Sequence, residues 1–250
     1  MNQRQRDIMS GAAPTELVRF LAARGYHPRS SSHGEAMCDF LLRDLHSNCP
    51  AFKAMVDSGS IVYQTNYTVN KNTPSEWTID LVVGKSSGPL LGGPTIARAD
   101  PSEVWIAIDA KAIMTEHGKA RRNRQRDLNS MADILHRMSP IPITAAYVII
   151  NIASQFRSPL REEITQHRNI ERIVAETIPL MKEILKDEKI GRPGLDAIGV
   201  TIIDYSNLPN SECRLIQDPP APDPSSPLHY DNFLSRVCDD FAARFTRHKT

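Results

Sequence analysis

Two carboxylates and one lysine interrupt two short apolar segments near the middle of this 250-residue chain. Asp80 lies in the segment 77–83, and Asp109 and Lys111 lie in the segment 104–111. A buried carboxylate without a partner is costly, so acids at the ends of apolar strands indicate a counter-charge or a metal ion. Carboxylate oxygens suit Mg²⁺, which neutralises a phosphoryl group and lowers the pKa of bound water. These residue types therefore predict metal-dependent phosphodiester hydrolysis.

The spacing of Asp109 and Lys111 adds a second constraint. Side chains two positions apart in a strand point to the same face, so the carboxylate and the ammonium meet while Ala110 turns away. There Lys111 can orient or help to deprotonate the attacking water, or stabilise the transition state electrostatically. The alternative is that Asp80 and Asp109 form only structural ion pairs.

These residues resemble the motif of the PD-(D/E)xK nuclease superfamily, which includes many type II restriction endonucleases. Asp80, preceded by Ile where the family usually has Pro, corresponds to the first acid, and Asp109-Ala-Lys111 to the (D/E)xK element. The order of helix and strands from about residue 30 to 152 is also similar. The resemblance implies that Asp80 and Asp109 bind Mg²⁺, or Mn²⁺ as a substitute, beside Lys111 as the catalytic cation. It further implies that Glu35, on the preceding helix, is an auxiliary catalytic acid and metal ligand.

Glu35 has an alternative explanation, because an acid near a helix N-terminus is favoured by the helix dipole alone. A basic segment after Lys111 supports nucleic-acid binding, since each cation that contacts a phosphate adds salt-dependent affinity. A solvated helical face is its alternative. The predicted nucleic-acid-binding residues are Lys119, Arg121, Arg122, Arg124, Gln125 and Arg126.

Composition excludes some functions. The formal net charge of +1 gives no global basic field, so a nucleic acid must bind to a local patch. The four cysteines lie far apart and form no CxxC pair, so neither a zinc site nor a disulfide framework is indicated. Residues 1–10 are polar, and no apolar run reaches the length of a membrane span. We therefore expect a soluble, cytoplasmic protein without a membrane partner.

Hydrophobic periodicity predicts an α/β fold with a mixed central β-sheet flanked by helices. The resemblance makes this a restriction endonuclease-like core of order αβββαβ with additional N- and C-terminal helices. We expect one nuclease-like domain over 1–250, with its core at about 30–205. Its other expected parts are an N-terminal helix at about 14–24, a basic helix at 117–138, a long helix at 161–187 kinked at Pro179, a proline-rich connector at 218–227 and a C-terminal helix at about 228–247.

The resemblance points to an endonuclease acting on duplex DNA in a restriction or defence role. Cutting both strands needs two active sites, so a homodimer is the economical expectation. The loop 84–102 and the basic helix are the expected DNA contacts. Two alternatives stay open: a nuclease for branched DNA, single-stranded DNA or RNA, and a catalytically inactive nuclease-like module that binds nucleic acid or regulates another protein.

Overall fold

The computed structural model describes residues 11–88, 92–139, 141–187, 191 and 193–246. The polar segment 1–10, residues 89–91 of the long loop and the end of the predicted C-terminal helix at 247 lie outside them. The described helices are α1 (Ala13–Arg24), α2 (Ser32–Asn48), α3 (Pro50–Asp57), α4 (His117–Met138), α5 (Ile170–Lys182) and α6 (Tyr230–Phe245). The described strands are β1 (Ile61–Val69), β2 (Trp77–Lys85), β3 (Ala97–Arg98), β4 (Glu103–Ile113), β5 (Ile143–Asn151), β6 (Gln155–Phe156), β7 (Thr165–Gln166), β8 (Ala197–Tyr205) and β9 (Cys213–Ile216).

Seven strands form one mixed sheet in the order β3-β1-β2-β4-β5-β8-β9. Strands β4, β5 and β8 run parallel, while β2 is antiparallel to both of its neighbours. Every residue of β5 is buried, as its near-continuous apolar sequence predicts for a central strand. The predicted α/β class with a mixed central sheet and flanking helices is confirmed.

Helices cover both faces of the sheet. The apolar sides of α1, α2, α3 and α6 pack on one face, with Leu17, Leu41, Phe52 and Phe233 fully or almost fully buried. Helices α4 and α5 cover the other face through residues such as Leu128. In the described part of the chain, no helix is both long enough and apolar enough to cross a bilayer.

The long helix predicted over 161–187 is wrong in its extent. Helix α5 begins only at Ile170, and the preceding residues contain the short strand β7. Ile164, which a helix over the whole of 161–187 would turn toward the core, is instead 40% exposed. Asn169 just before the helix has a left-handed backbone (φ 52°), which separates the two regions. Ile164 is the one apolar residue between Arg161 and Asn169, and it is in phase with the helix but is not part of the core.

A buried carboxylate that the sequence did not single out joins three helices. Asp44 on α2 accepts hydrogen bonds from the backbone N–H groups of Ala12 and Ala13, at 2.9 and 2.8 Å, at the start of α1. Its Oδ2 also accepts from the Tyr230 hydroxyl on α6 at 2.7 Å. Asp44 thus supplies partners for the first N–H groups of α1, which the helix itself leaves unpaired.

Tyr230→Phe is expected to lower the free energy of unfolding by about 1 kcal/mol, because it removes one buried hydrogen bond and leaves the other two bonds to Asp44 in place. Urea denaturation at neutral pH measures the change. Tyr63→Phe is the matched control, because the hydroxyl of Tyr63 has no hydrogen-bond partner among the described residues. Its free energy of unfolding should stay within about 0.5 kcal/mol of that of wild type. Equal stabilities of the two variants would contradict a stabilising role for the Tyr230 hydroxyl.

Candidate active site

The two aspartates lie where strands β2 and β4 separate. Their antiparallel ladder ends with the pair Leu81 and Ile108, so Asp80 and Asp109 are the first residues beyond it. The sequence suggested that the acids stand at strand ends, but neither does. Strand β2 continues to Trp77 beside β1, and β4 continues along β5, so a neighbour on the other side keeps each strand extended. The acids therefore occupy a fork between two strands.

The side chain of Asp80 bridges the two strands at the start of this fork. Its Oδ2 accepts a hydrogen bond from the backbone N–H of Ala110 at 2.8 Å, in place of a main-chain partner across the ladder. The Nζ atom of Lys111 lies 2.8 Å from Asp109 Oδ2 and 3.6 Å from Asp80 Oδ2. The side chain of Asp109 is fully buried, whereas that of Asp80 is 28% exposed. Access to the cluster is therefore from the side of Asp80.

Burial and charge set the protonation of this cluster. Burial raises the pKa of Asp109 to about 7, an effect that Lys111 opposes and Asp80 reinforces. Burial by itself would lower the pKa of Lys111, but the two carboxylates outweigh it and raise that pKa above its usual value. Lys111 is therefore held as an ammonium ion. Between the two roles that the sequence left open, this protonation favours electrostatic stabilisation over proton abstraction.

The residues of the fork fit a divalent cation that prefers oxygen ligands. Both carboxylate oxygens of Asp109 are buried and lack a well-directed hydrogen bond from any described group, so the contact with Lys111 is a simple ion pair. When Asp109 is ionised, the two carboxylates and the one ammonium carry one uncompensated negative charge, which contributes to the raised pKa of Asp109. Mg²⁺ commonly binds through one or two carboxylates and keeps several waters, which matches Asp80 and Asp109. A buried carboxylate without a directed hydrogen bond beside a partly exposed one is the arrangement that such an ion would stabilise.

Glu35 stands apart from the two aspartates. It is exposed in the first turn of α2. Among the described residues, no three or more His, Cys, Asp or Glu side chains are grouped so that they can hold a metal ion. Cys38, one turn further along α2, is close enough to feel the charge of all three acids: burial first, and then the charges of Asp80, Asp39, Asp109 and Glu35, raise the pKa of its thiol far above the usual value.

Two of the predicted nucleic-acid-binding residues are engaged in packing within the protein. Arg121 Nη1 donates to Glu176 Oε2 at 3.2 Å, and Gln125 Nε2 donates to Glu183 Oε2 at 3.3 Å. Glu176 belongs to α5 and Glu183 follows it, so these contacts attach α4 to α5. The face of α4 that carries Arg121 and Gln125 is therefore directed toward a neighbouring helix.

The other predicted binding residues of α4 are more available. Lys119, Arg122 and Arg126 are exposed, and none forms an ion pair with another residue in the described ranges. Arg124 pairs with Asp127 at 2.9 Å, one turn along the helix. The positive surface that the structure brings to solvent beside the site is thus smaller than the basic segment in the sequence.

Three further side chains border the site without having been singled out as its residues. The thiol of Cys38 donates a hydrogen bond to the backbone oxygen of Asp80 at 3.6 Å and so holds β2 against α2. His33 lies within the field of Asp80, although burial dominates and lowers the pKa of the imidazole. The ring of Tyr26 packs against that of His33 with centroids 4.7 Å apart. No local pattern signals these contacts, because each joins segments distant in sequence.

Comparison of this chain with protein-family models, with curated proteins and with solved structures found no significant match.

Proposed function

We propose that this protein is a Mg²⁺-dependent endonuclease of the PD-(D/E)xK type that hydrolyses phosphodiester bonds in DNA. The observation that carries the proposal is the fully buried Asp109 carboxylate, which lacks a directed hydrogen bond and lies beside Lys111 and the partly exposed Asp80. A structural ion pair would be expected to satisfy its buried oxygens. The excess negative charge that the cluster carries whenever Asp109 is ionised would be balanced by a bound divalent cation.

Asp80 and Asp109 would hold the metal. When bound, Mg²⁺ supplies Lewis acidity toward the phosphoryl group and a water of lowered pKa. The ammonium of Lys111 stabilises the negative charge that develops on the phosphoryl oxygens in the transition state. Because Lys111 is only 17% exposed, this electrostatic effect is weakly screened by solvent. The Ala110 N–H fixes the orientation of Asp80, so the fork is organised before the substrate arrives.

Exposed cations would hold the nucleic acid over this site. Lys119, Arg122 and Arg126 are exposed on α4, which begins four residues after β4. Their phosphate contacts would release counterions and make binding strongly dependent on salt. Glu35 would act from the rim of the site as an auxiliary acid, because its exposed side chain lies on α2, the helix that also carries Cys38.

The direct test uses covalently closed circles of DNA, because only an endonuclease can open them. Purified protein is incubated with supercoiled plasmid and with single-stranded circular DNA in Mg²⁺, beside Lys111→Met and the control Lys85→Met, an exposed lysine at the end of β2. We expect wild type and Lys85→Met to cut at least one circle at similar rates. Lys111→Met should be slower by about a hundredfold, since it loses the transition-state charge.

Discrete fragments would support a sequence-specific, restriction-like enzyme, whereas a smear would indicate general degradation. Equal rates for wild type and Lys111→Met would remove the catalytic assignment. Binding of DNA without turnover in either Mg²⁺ or Mn²⁺ would instead support an inactive nuclease-like binding module.

A further inference from the structure

Two cavities meet at Tyr26, beside the carboxyl ends of the parallel strands. The inner cavity, of about 270 Å³, is lined on its polar side by Lys119, Asn123 and Arg124 and on its apolar side by Phe156. The outer cavity, of about 560 Å³, is bordered by Arg24, His27, Arg157 and Asn207. Tyr26 lines both. We refer to the two together as the Tyr26 groove. Crevices at the carboxyl ends of parallel strands are common ligand sites in α/β sheets.

The inner end of the Tyr26 groove lies near the proposed catalytic cluster without being lined by its residues. Its wall includes Ala112, which follows Lys111 in β4 and points to the opposite face of that strand. Arg124 in the same wall is close enough for its charge to oppose the rise in the pKa of Lys111. On the other side, Tyr26 contacts His33, which lies within the field of Asp80. A ligand in the inner cavity would therefore contact the end of β4, close to the fork between β2 and β4 but outside it.

The aromatic wall of the groove is held in place before any ligand binds. Asn207 donates to the backbone oxygen of Tyr26 at 3.0 Å and accepts from its backbone N–H at 2.9 Å. The same Asn207 amide donates to the backbone oxygen of Arg157 at 2.7 Å. The ring of Tyr26 makes an edge contact with Phe156, with centroids 6.0 Å apart. Tyr26 and Arg157 are thus fixed relative to each other.

The groove is positively charged. Arg24, Lys119 and Arg157 line it, and none of them forms an ion pair with another described residue. The one acidic residue of the inner wall, Glu116, is already paired with Arg161. Unpaired cations on both sides of a fixed aromatic ring match the alternation of phosphates and bases along a nucleic-acid strand.

We propose that the Tyr26 groove holds a single strand of DNA next to the phosphate that is cut, with a base stacked on Tyr26 and phosphates on the flanking cations. The inference rests on the proposed nuclease function and narrows its substrate to DNA with a single-stranded segment at the cut. In a duplex, each base stacks on its neighbours and offers no free face to a protein ring. Stacking of a base on the ring of Tyr26 therefore requires an unpaired base.

Fluorescence anisotropy in EDTA tests this without catalysis, using labelled DNA of about 12 nucleotides, which falls within single-strand site sizes. Wild type should bind the single strand at least about tenfold more tightly than a blunt duplex of the same length. Tyr26→Ala should weaken single-strand binding by about tenfold, the reduction expected for one stacked base. Tyr26→Phe keeps the ring and should bind within about twofold of wild type. Equal binding by wild type and Tyr26→Ala would overturn the proposal, as would an equal affinity for the duplex.

A second pair of variants tests the groove without changing Tyr26, in case Tyr26→Ala impairs folding. Arg24→Ala combined with Arg157→Ala changes exposed side chains and should reduce the slope of log affinity against log salt by about 1.4, or 0.7 for each phosphate that is no longer neutralised. Arg19→Ala on the same helix removes an exposed arginine that is paired with Glu16 and lines neither cavity, so its slope should match wild type. An unchanged slope in the double variant would contradict phosphate binding at these positions.

The outcomes separate this inference from the proposed function. Tyr26-dependent binding of single strands without cleavage in Mg²⁺ would support the groove while removing the nuclease assignment. Cleavage that depends on Lys111, together with no preference for single strands, would keep the nuclease and remove the groove.

Discussion

Asp109→Asn is expected to reduce DNA cleavage by about a thousandfold or more, the largest effect among the substitutions considered. The amide keeps the volume of the side chain in its fully buried position but removes the charge that a divalent cation and Lys111 both require. The same substitution should abolish metal binding. In wild type, we expect Mg²⁺ at about 100 times its dissociation constant to stabilise the fold by about 2.7 kcal/mol, seen as a rise in the melting temperature.

This thermal shift distinguishes loss of the metal site from loss of folding. Asp109→Asn should melt cooperatively in EDTA, and its melting temperature should not respond to Mg²⁺. Asp133→Asn, which changes an exposed carboxylate on α4, is the matched control and should retain both cleavage and the shift. A full Mg²⁺ shift in Asp109→Asn would mean that the ion binds elsewhere and would remove Asp109 from the proposed ligands.

Asp196→Ala is expected to lower the free energy of unfolding by about 3 kcal/mol, the largest effect on stability. Asp196 precedes β8 and is almost fully buried, and its Oδ1 accepts from Arg244 Nη2 on α6 at 2.8 Å. Its Oδ2 accepts from the Thr144 N–H of β5 at 2.9 Å. The substitution leaves that N–H without its acceptor and removes the contact of Arg244 with Asp196, while the longer contact of Arg244 with Asp240, at 3.3 Å, remains. Urea denaturation of wild type and variant at neutral pH measures the difference.

The pH dependence of this difference follows from the charge of Asp196. Burial by itself would raise the pKa of the carboxyl, but the bonds from Arg244 and Thr144 outweigh it and leave the pKa below its usual value. A depressed pKa stabilises the folded state above the pKa of the unfolded chain, about 3.9, and this contribution is lost as the pH falls through the folded value. The gap between wild type and Asp196→Ala should thus be constant from pH 5 to 8, within about 0.5 kcal/mol, and should narrow below about pH 4.

Asp239→Ala, an exposed carboxylate on α6, is the control and should change stability by no more than about 0.5 kcal/mol at any of these pH values. If the difference in stability between wild type and Asp196→Ala stays constant below about pH 4, the charge of Asp196 does not contribute to the stability of the fold.

The position of the acids has a consequence for substrate access. Because β2 and β4 separate after the pair of Leu81 and Ile108, the sheet opens at Asp80 and Asp109 without ending there. Strand β4 remains anchored to β5 as far as Ile113, which keeps Asp109 and Lys111 rigid while the other side of the fork is open. A site on a continuous strand holds its groups more accurately than a loop would.

Residue type and hydrophobic periodicity predicted those helices and strands that keep the same packing environment along their whole length. The basic helix matches α4 over 117–138, and the N-terminal helix predicted at about 14–24 matches α1. Helix α5 was predicted too long, because Ile164 continues its period although this side chain lies outside the core and is 40% exposed. Helix α3 was not anticipated, because eight residues are too few for a periodic pattern to be distinctive.

The sequence by itself determined which groups are available: two acids in apolar strands, a lysine two positions from one of them, and a basic helix behind. It did so because strand alternation and the cost of burying charge act over a few residues. Only the tertiary structure decided where these groups meet. The end of the β2–β4 ladder brings Asp80 to Lys111, Glu176 draws Arg121 into the α4–α5 contact, and Asn207 fixes Tyr26. These contacts join residues far apart in the chain, and their partners are selected by sheet order and helix packing, which no local pattern encodes.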